Sequence, residues 1–262
     1  MNLPEDVKSC CAAVYSSDAV ALLLGDSYHP GGAALTRRLA GLMNLRPGHR
    51  VADIASGPGA TAWLLATEYG VVVDGVDFAA PTVQRAQRTS ERLGLSDRVR
   101  FYVGDAERIP LPDNGFDAIL TECAFCTFTD KATAAGEFAR ILRPGGRIGL
   151  ADVTVGDGGL PDELSTLAAW VACVADARSV GQYSAILNGA GLSTIHAESH
   201  DTVLVRMLDQ VEARIHLMRM TQKERIVAAG INVDGVLNFV DIVRGALSDG
   251  LLGYALIVAE KG

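Results

Sequence analysis

Arg50-Val-Ala-Asp-Ile-Ala-Ser-Gly-Pro-Gly59 decides how this chain folds. Its first half is an apolar strand, its second half is a glycine-rich turn, and a helical pattern begins at Ala60. A strand that runs straight into such a turn and then into a helix (60–69) opens a βαβ unit. Downstream the alternation continues with strand 71–77 (VVVDGVD), helix 81–93, strands 99–103 and 116–121, helix 131–142 and strand 147–152. Buried β-branched runs separated by helices predict a doubly wound α/β fold around a mostly parallel sheet. Upstream, helices are expected at 5–24 and 33–43, separated by Gly25-Asp-Ser-Tyr-His-Pro-Gly-Gly32. Farther on the pattern gives two helices between 160 and 191, strand 193–197, helices 203–229 and 236–247, and a last strand, 254–258, suited to a sheet edge. There is no internal repeat, low-complexity run or long linker, so the chain reads as a single domain.

A length of 262 residues fits one domain of this class, and 49% apolar with 21% charged residues is the balance of a soluble protein with a sizeable core. The 31 acidic and 23 basic residues leave a formal charge of −8. The densest basic group, Arg85, Arg88 and Arg92, is spaced for one solvated helix face. That balance argues against nucleic acid or an anionic membrane as partner. The opening residues MNLPEDVKSC lack the cationic start and apolar core of a signal peptide, and no apolar run is long enough to span a bilayer. Five cysteines, Cys10, Cys11, Cys123, Cys126 and Cys173, then point to reduced thiols in a cytoplasmic protein.

The chemistry starts at the glycine turn. Backbone N–H groups without an intervening Cβ let a ligand lie against the chain at the carboxyl end of the first strand. Asp77 ends the second strand, where an acid can accept both hydroxyls of a ribose. The alternative is a tight βα turn with a capping carboxylate, but the turn and the spaced acid together favour a nucleoside. Gly57-x-Gly59-x-x-Ala62 also fits a loose dinucleotide fingerprint. Against that, Asp53 sits just before the glycines, where it suits an amino group and would repel a pyrophosphate. Val103-Gly-Asp-Ala106 closes the third strand with a carboxylate and an N–H able to read an adenine edge.

Together, Asp53 through Gly59, Asp77, Gly104-Asp105-Ala106 and Leu142-Arg-Pro-Gly-Gly146 resemble the class I S-adenosylmethionine methyltransferases over residues 50–155. The resemblance implies a seven-stranded, mostly parallel Rossmann-like sheet with an antiparallel strand near one edge, which 254–258 would supply. It implies a helical lid in 1–46, a core for S-adenosyl-L-methionine in 50–155, and acceptor-side helices with the closing strands in 156–262, including a helical insertion before the last strand. Ala55, Ser56, Gly57 and Gly59 would pass under the methionine moiety, with Asp53 near its ammonium. Asp77 would hold the ribose, Phe78 would flank the adenine, and Asp105 with Ala106 would read its amino edge. Glu122 or Cys123 would face the sulfonium and the acceptor. The family's first loop glycine is Ala55 here, an exchange that calls for a negative φ.

Glu122-Cys123, Asp130-Lys131, the Arg-Pro-Gly-Gly turn, Ala151-Asp-Val, Leu160-Pro-Asp-Glu and Trp170-x-x-Cys173 are similar to the arsenite methyltransferases as far as about Gly191. That branch implies Cys123 and Cys173 as As(III) ligands; apart from it, Cys10 or Cys11 on the N-terminal helix would be the candidates for a third thiolate. Thiolates suit soft centres, and the arsenic lone pair needs no base. The branch's further cysteine falls near Asp26, and its C-terminal extension is replaced by the helices of 203–247. A second expectation is a methyltransferase for the carbon or oxygen of an apolar small molecule (quinone, polyketide or sterol-like). Glu122, His29 or Tyr28 would then be the bases, and the Met- and Leu-rich segment 203–220 would either line the pocket or pack on the sheet. A third is a non-catalytic protein that binds the cofactor or a thiol-bound metal. Cys126 reads as packing, and His196 with His200 does not read as a metal pair.

Overall fold

Val51 and Asp53 leave the first strand on one face and Ala52 and Ile54 on the other, and helices cover both faces. The computed structural model describes residues 3–25, 28–156, 160, 164, 174 and 176–262, with 3–7 and 10 described by backbone alone. A helical cap comes first: α1 (Leu3–Tyr15), α2 (Asp18–Leu24) and α3 (Gly32–Leu42). The central alternation follows as β1 (Arg50–Ile54), α4 (Ala60–Glu68), β2 (Val72–Asp77), α5 (Ala80–Arg92), β3 (Val99–Val103), β4 (Phe116–Glu122), α6 (Lys131–Ile141) and β5 (Leu142–Val155). The remainder is α7 (Val180–Gly189), β6 (Leu192–Ser199), α8 (Asp201–Thr221), α9 (Lys223–Ala228), α10 (Val233–Ser248) and β7 (Leu252–Lys261). No described helix is long and apolar enough to cross a membrane.

The sheet has seven strands in the order β3-β2-β1-β4-β5-β7-β6, all parallel except β7. The chain therefore reverses direction across the sheet between β1 and β4, and a crevice opens where their carboxyl ends part. Right-handed crossovers put α4 and α5 on one face and α6 on the other. The apolar stripe of α3 (Leu35, Leu39, Ala40) and that of α8 (Leu204, Leu208, Val211, Ile215) share the α4 face. α3 lies so near β5 that a Cβ on Gly149 would stand 2.7 Å from Met43 Sδ and 2.9 Å from Leu39 Cγ.

Four expectations are corrected. The helix expected at 5–24 is two helices, because Ser16 and Ser17 turn their hydroxyls onto Ala12 O and Val14 O, and Ser17 then caps α2. The helix at 203–229 breaks at Gln222 into α8 and α9. The strand expected at 147–152 begins at Leu142, since the Arg-Pro-Gly-Gly segment is a bulge within β5. The last strand is not the edge: β7 lies between β5 and β6, buried on both faces from Leu252 to Ala259, and the alternately exposed β6 takes the edge. Of the two helices expected between 160 and 191, α7 is described; residues 161–163, 165–173 and 175, with Trp170 and Cys173, lie outside the described residues.

Gly149→Ala should force α3 off β5 and lower the unfolding free energy by roughly 1–3 kcal/mol, the usual penalty of overpacking, as read from chemical denaturation.

Candidate active site

Parallel register sets the site. Asp53 lies beside Leu120 on the neighbouring strand, and Glu122 is the next residue on Leu120's face, so both carboxylates emerge together at the strand tips. The chain then turns sharply at each tip. Ala55 has φ +59° and Cys123 has φ +53°. The negative φ expected at Ala55 is thus overturned: the residue takes the left-handed form its glycine counterpart would take, at a cost of about 1–2 kcal/mol. The turn is tied down by Ser56 N–H to Val76 O (3.0 Å) and Gly59 N–H to Ser56 O (3.0 Å). Asp77 accepts the N–H groups of Gly57 and Ala79, both at 2.9 Å. Burial raises the Asp77 pKa although these two bonds oppose the shift.

Above the turn lies a cleft of about 160 Å3, bounded by Ala55, Gly57 and Asp77 below and roofed by Cys11 and Tyr15 of α1 and by Ser16 just after it. Gly57 has open space where a side chain would stand, so its backbone is bare to a ligand. Phe78, Asp105 and Ala106 line the cleft, as do Cys123, Thr127 and Phe128. Gly59 is not among the lining residues: its Cβ position is 2.6 Å from the Phe101 ring, so this glycine serves the packing of α4. Lys8 of α1 reaches Asp105 at 2.8 Å and Glu107 at 2.6 Å, which fastens the roof. Partial burial pulls the Lys8 ammonium down, but these two partners outweigh it and raise the pKa. α1 is held to α5 by Ser16 and Thr82 hydroxyls 3.0 Å apart, and Arg214 of α8 donates to Leu23 O at the end of α2.

A smaller polar pocket of about 50 Å3 shares the walls Tyr28, Ala55, Gly57 and Glu122 and adds His29, Asp53, Ser56 and Thr61. Glu122 is well satisfied there. Thr61 Oγ1 donates to its Oε2 at 2.6 Å, Thr36 Oγ1 donates to Oε1 at 2.9 Å, and His29 Nε2 stands 3.3 Å from Oε2. Asp53 is the opposite case. It is 3% exposed, its Oδ2 has no hydrogen-bond partner, and burial, with Glu122 and Asp77 nearby, pushes its pKa well up. The buried Ser56 Oγ also lacks a partner. A pocket with two adjacent carboxyl groups, one of them uncompensated, is shaped for a cation.

The cysteines divide. Cys11 and Cys123 line the cleft, while Cys126 is 1% exposed and its N–H donates to Asp152. The short 3-10 turn Phe125–Thr127 that carries Cys126 is pinned by Lys131, whose buried ammonium donates to Cys126 O, Phe128 O and Asp176. Cys173 and the Cys10 side chain lie outside the described residues. His196 and His200 both bond Glu198 at the sheet edge, where Arg38 above all holds that carboxyl far below its ordinary range. Thr36, Thr61 and Lys8 were not singled out by sequence. Thr36 left a trace, a hydroxyl inside the Leu35–Leu39–Ala40 stripe of α3.

Residues 52–150 match the family model described as a methyltransferase domain. The 27-O-demethylrifamycin SV methyltransferase of Amycolatopsis mediterranei is 31% identical over 229 residues, covering 87% of this chain and 82% of that one. The chain belongs to the S-adenosylmethionine-dependent methyltransferases. An O-methyltransferase of Pyrenophora dematioidea is 28% identical over 82% of the methyltransferase described here and 76% of its own length. In fold, the methyltransferase matches Haemonchus contortus phosphoethanolamine N-methyltransferase 2, solved with S-adenosyl-L-methionine, at a TM-score of 0.79 with 22% identity over 93% of this chain and 56% of that one. The bare Gly57 backbone and the partnerless Asp53 oxygen suit this cofactor, which presents an ammonium and a sulfonium.

Because the fold raises the Asp53 pKa, ligand-free protein loses stability as pH climbs from the ordinary carboxylate range, about 4, through the raised value. Asp53→Asn should therefore stabilise the ligand-free methyltransferase at neutral pH by roughly 1–3 kcal/mol, a gain that shrinks towards zero in acid, as followed by denaturation at several pH values.

Proposed function

We propose that this methyltransferase acts on a hydroxyl oxygen of a small, largely apolar acceptor, and that the pairing of His29 Nε2 with Glu122 Oε2 at 3.3 Å carries this reading. When bound, S-adenosylmethionine supplies an electrophilic methyl group on a sulfonium. In this proposal Asp53 holds the methionine ammonium, the backbone from Ala55 to Gly57 supports the chain beside it, and Asp77 accepts the ribose hydroxyls. Phe78 flanks the adenine, and Asp105 with Ala106 reads its amino edge. An alcohol or phenol oxygen is a poor nucleophile until its proton leaves, so the site needs a base. His29 is placed for this role. Its Nε2 lies 3.3 Å from Glu122 Oε2 and both side chains line the polar pocket, so the pair is placed to take up the acceptor's proton. Glu122 steadies the resulting imidazolium in the way a buried carboxylate orients a catalytic histidine. The roof of α1 over the cleft excludes water. The apolar surfaces of Tyr15 and Phe128 favour an apolar acceptor, and the two relatives named above bear O-methylation in their names.

A second reading, transfer to a thiol-bound soft centre such as arsenite, draws on Cys11 and Cys123 both lining the cleft. It has less support, since the two relatives named above bear O-methylation and no metalloid in their names, while Cys173 and the Cys10 side chain lie outside the described residues.

Incubation with labelled S-adenosylmethionine and a panel of hydroxylated polyketides and phenols, with arsenite and glutathione alongside, should put the label on a hydroxyl compound. His29→Ala should then lower kcat by about 100-fold or more with S-adenosylhomocysteine binding intact, and Cys123→Ser should retain most activity. Label on arsenite, or full activity in His29→Ala, overturns the proposal.

A further inference from the structure

We propose that Lys131 is a positioning residue that sets the affinity for the acceptor, because its buried ammonium holds the turn that carries Thr127 and Phe128 into the wall of the cleft. The inference rests on the reading of Phe128 as an acceptor surface.

Lys131 opens α6, is 6% exposed, and is not among the residues lining either cavity. A lysine so deeply buried has to place its charge and its three protons on partners. Two of the partners are backbone oxygens of one turn, Cys126 O at 2.8 Å and Phe128 O at 3.0 Å, and the third is the Asp176 carboxylate. The two carbonyls flank Thr127, and Thr127 and Phe128 both line the cleft. Bonds within the turn use its N–H groups: Thr127 N–H donates to Ala124 O at 2.9 Å and Phe128 N–H to Phe125 O at 3.3 Å. The oxygens of Cys126 and Phe128 take Lys131 instead. The Phe128 ring stands edge-on to Phe125 with centroids 5.8 Å apart, and Phe125 is fully buried against Phe138 and Tyr183. Lys131 thus fixes the backbone of Phe128, and Phe125 its ring. Asp176 also pairs with Arg178 at 2.5 Å, so replacing Lys131 takes the donor from the two turn carbonyls while the carboxylate keeps a cation.

Methionine fills much of the volume of lysine and brings no donor. With an acceptor the wild-type enzyme methylates, Lys131→Met should raise the acceptor KM about tenfold or more, as for lost bonds from a charged group. The KM for S-adenosylmethionine, the Kd for S-adenosylhomocysteine and kcat should stay within about twofold, the pattern of lost acceptor binding alone. Asp176→Asn leaves Lys131 on both carbonyls and should keep the acceptor KM within about threefold of wild type. In a Phe128→Ala background Lys131→Met should add little further loss, since the two act as one unit. If Lys131→Met does not fold, Lys131→Gln, too short to span all three partners, should show the same split with a rise in acceptor KM of about threefold or more. An unchanged acceptor KM in the folded Lys131 variant overturns the proposal. So does a loss shared equally by cofactor and acceptor, an equal loss in Asp176→Asn, or one that persists in full without the Phe128 ring. A wild-type acceptor KM in Phe128→Ala alone would instead remove the reading of Phe128 as an acceptor surface.

Discussion

Asp53 is a carboxyl group held inside the protein with one oxygen bonded to nothing, and most of the site is arranged around that fact. Such a group costs on the order of 1–3 kcal/mol unless a partner arrives, so its persistence needs a structural cause. The cause is register. β1 and β4 are parallel neighbours, Asp53 stands beside Leu120, and period-two alternation then brings Glu122 out on the same face. Neither carboxylate can move away without slipping a buried strand and turning its whole apolar set to the wrong side. Glu122 is satisfied by Thr36, Thr61 and His29, whereas Asp53 Oδ2 has no hydrogen-bond partner.

The elements around this pair serve its geometry. α3 brings Thr36 over the sheet only because Gly149 lets Leu39 and Met43 approach β5 closely. α4 starts directly after the glycine turn and carries Thr61. Both strand tips bend through left-handed residues that are not glycine, Ala55 and Cys123, each bearing about 1–2 kcal/mol of local strain that the packed sheet beneath sustains. α1 closes the top and is fastened where Lys8 meets Asp105 and Glu107. Strain at the tips, a bare carboxyl below and a fastened roof above describe one pre-organised cleft.

Much of this was legible in the sequence, and the reasons are local. The strand-turn-helix from Arg50 onward, Asp77 at the end of β2 and Asp105 after β3 are each fixed by short-range chemistry, and they fall where their spacing placed them. What escaped is long-range. A threonine within a helix stripe looks like any other until α3 is laid over β4, so Thr36 could not be paired with Glu122, 86 residues away. The sign of φ at Ala55 depends on how β1 meets its turn, not on the alanine. The interior place of β7 follows from pairing with β5 and β6, and its uniformly apolar run, against the alternation of β6, was the signal for it. The breaks at Ser16-Ser17 and Gln222 are side-chain and tertiary effects that helical periodicity passes over.

The central claim is that the uncompensated Asp53 carboxyl is the seat of the cofactor's positive charge. Calorimetric titration of S-adenosylhomocysteine, run at slightly acidic pH in two buffers of different ionisation enthalpy, tests it most directly. The account predicts one ligand per chain, with release of a proton as Asp53 ionises against the arriving ammonium. The observed enthalpy should therefore change with buffer in the wild type, and Asp53→Asn should bind weakly and without proton release. Equal affinity in Asp53→Asn with a buffer-independent enthalpy in both proteins would contradict it.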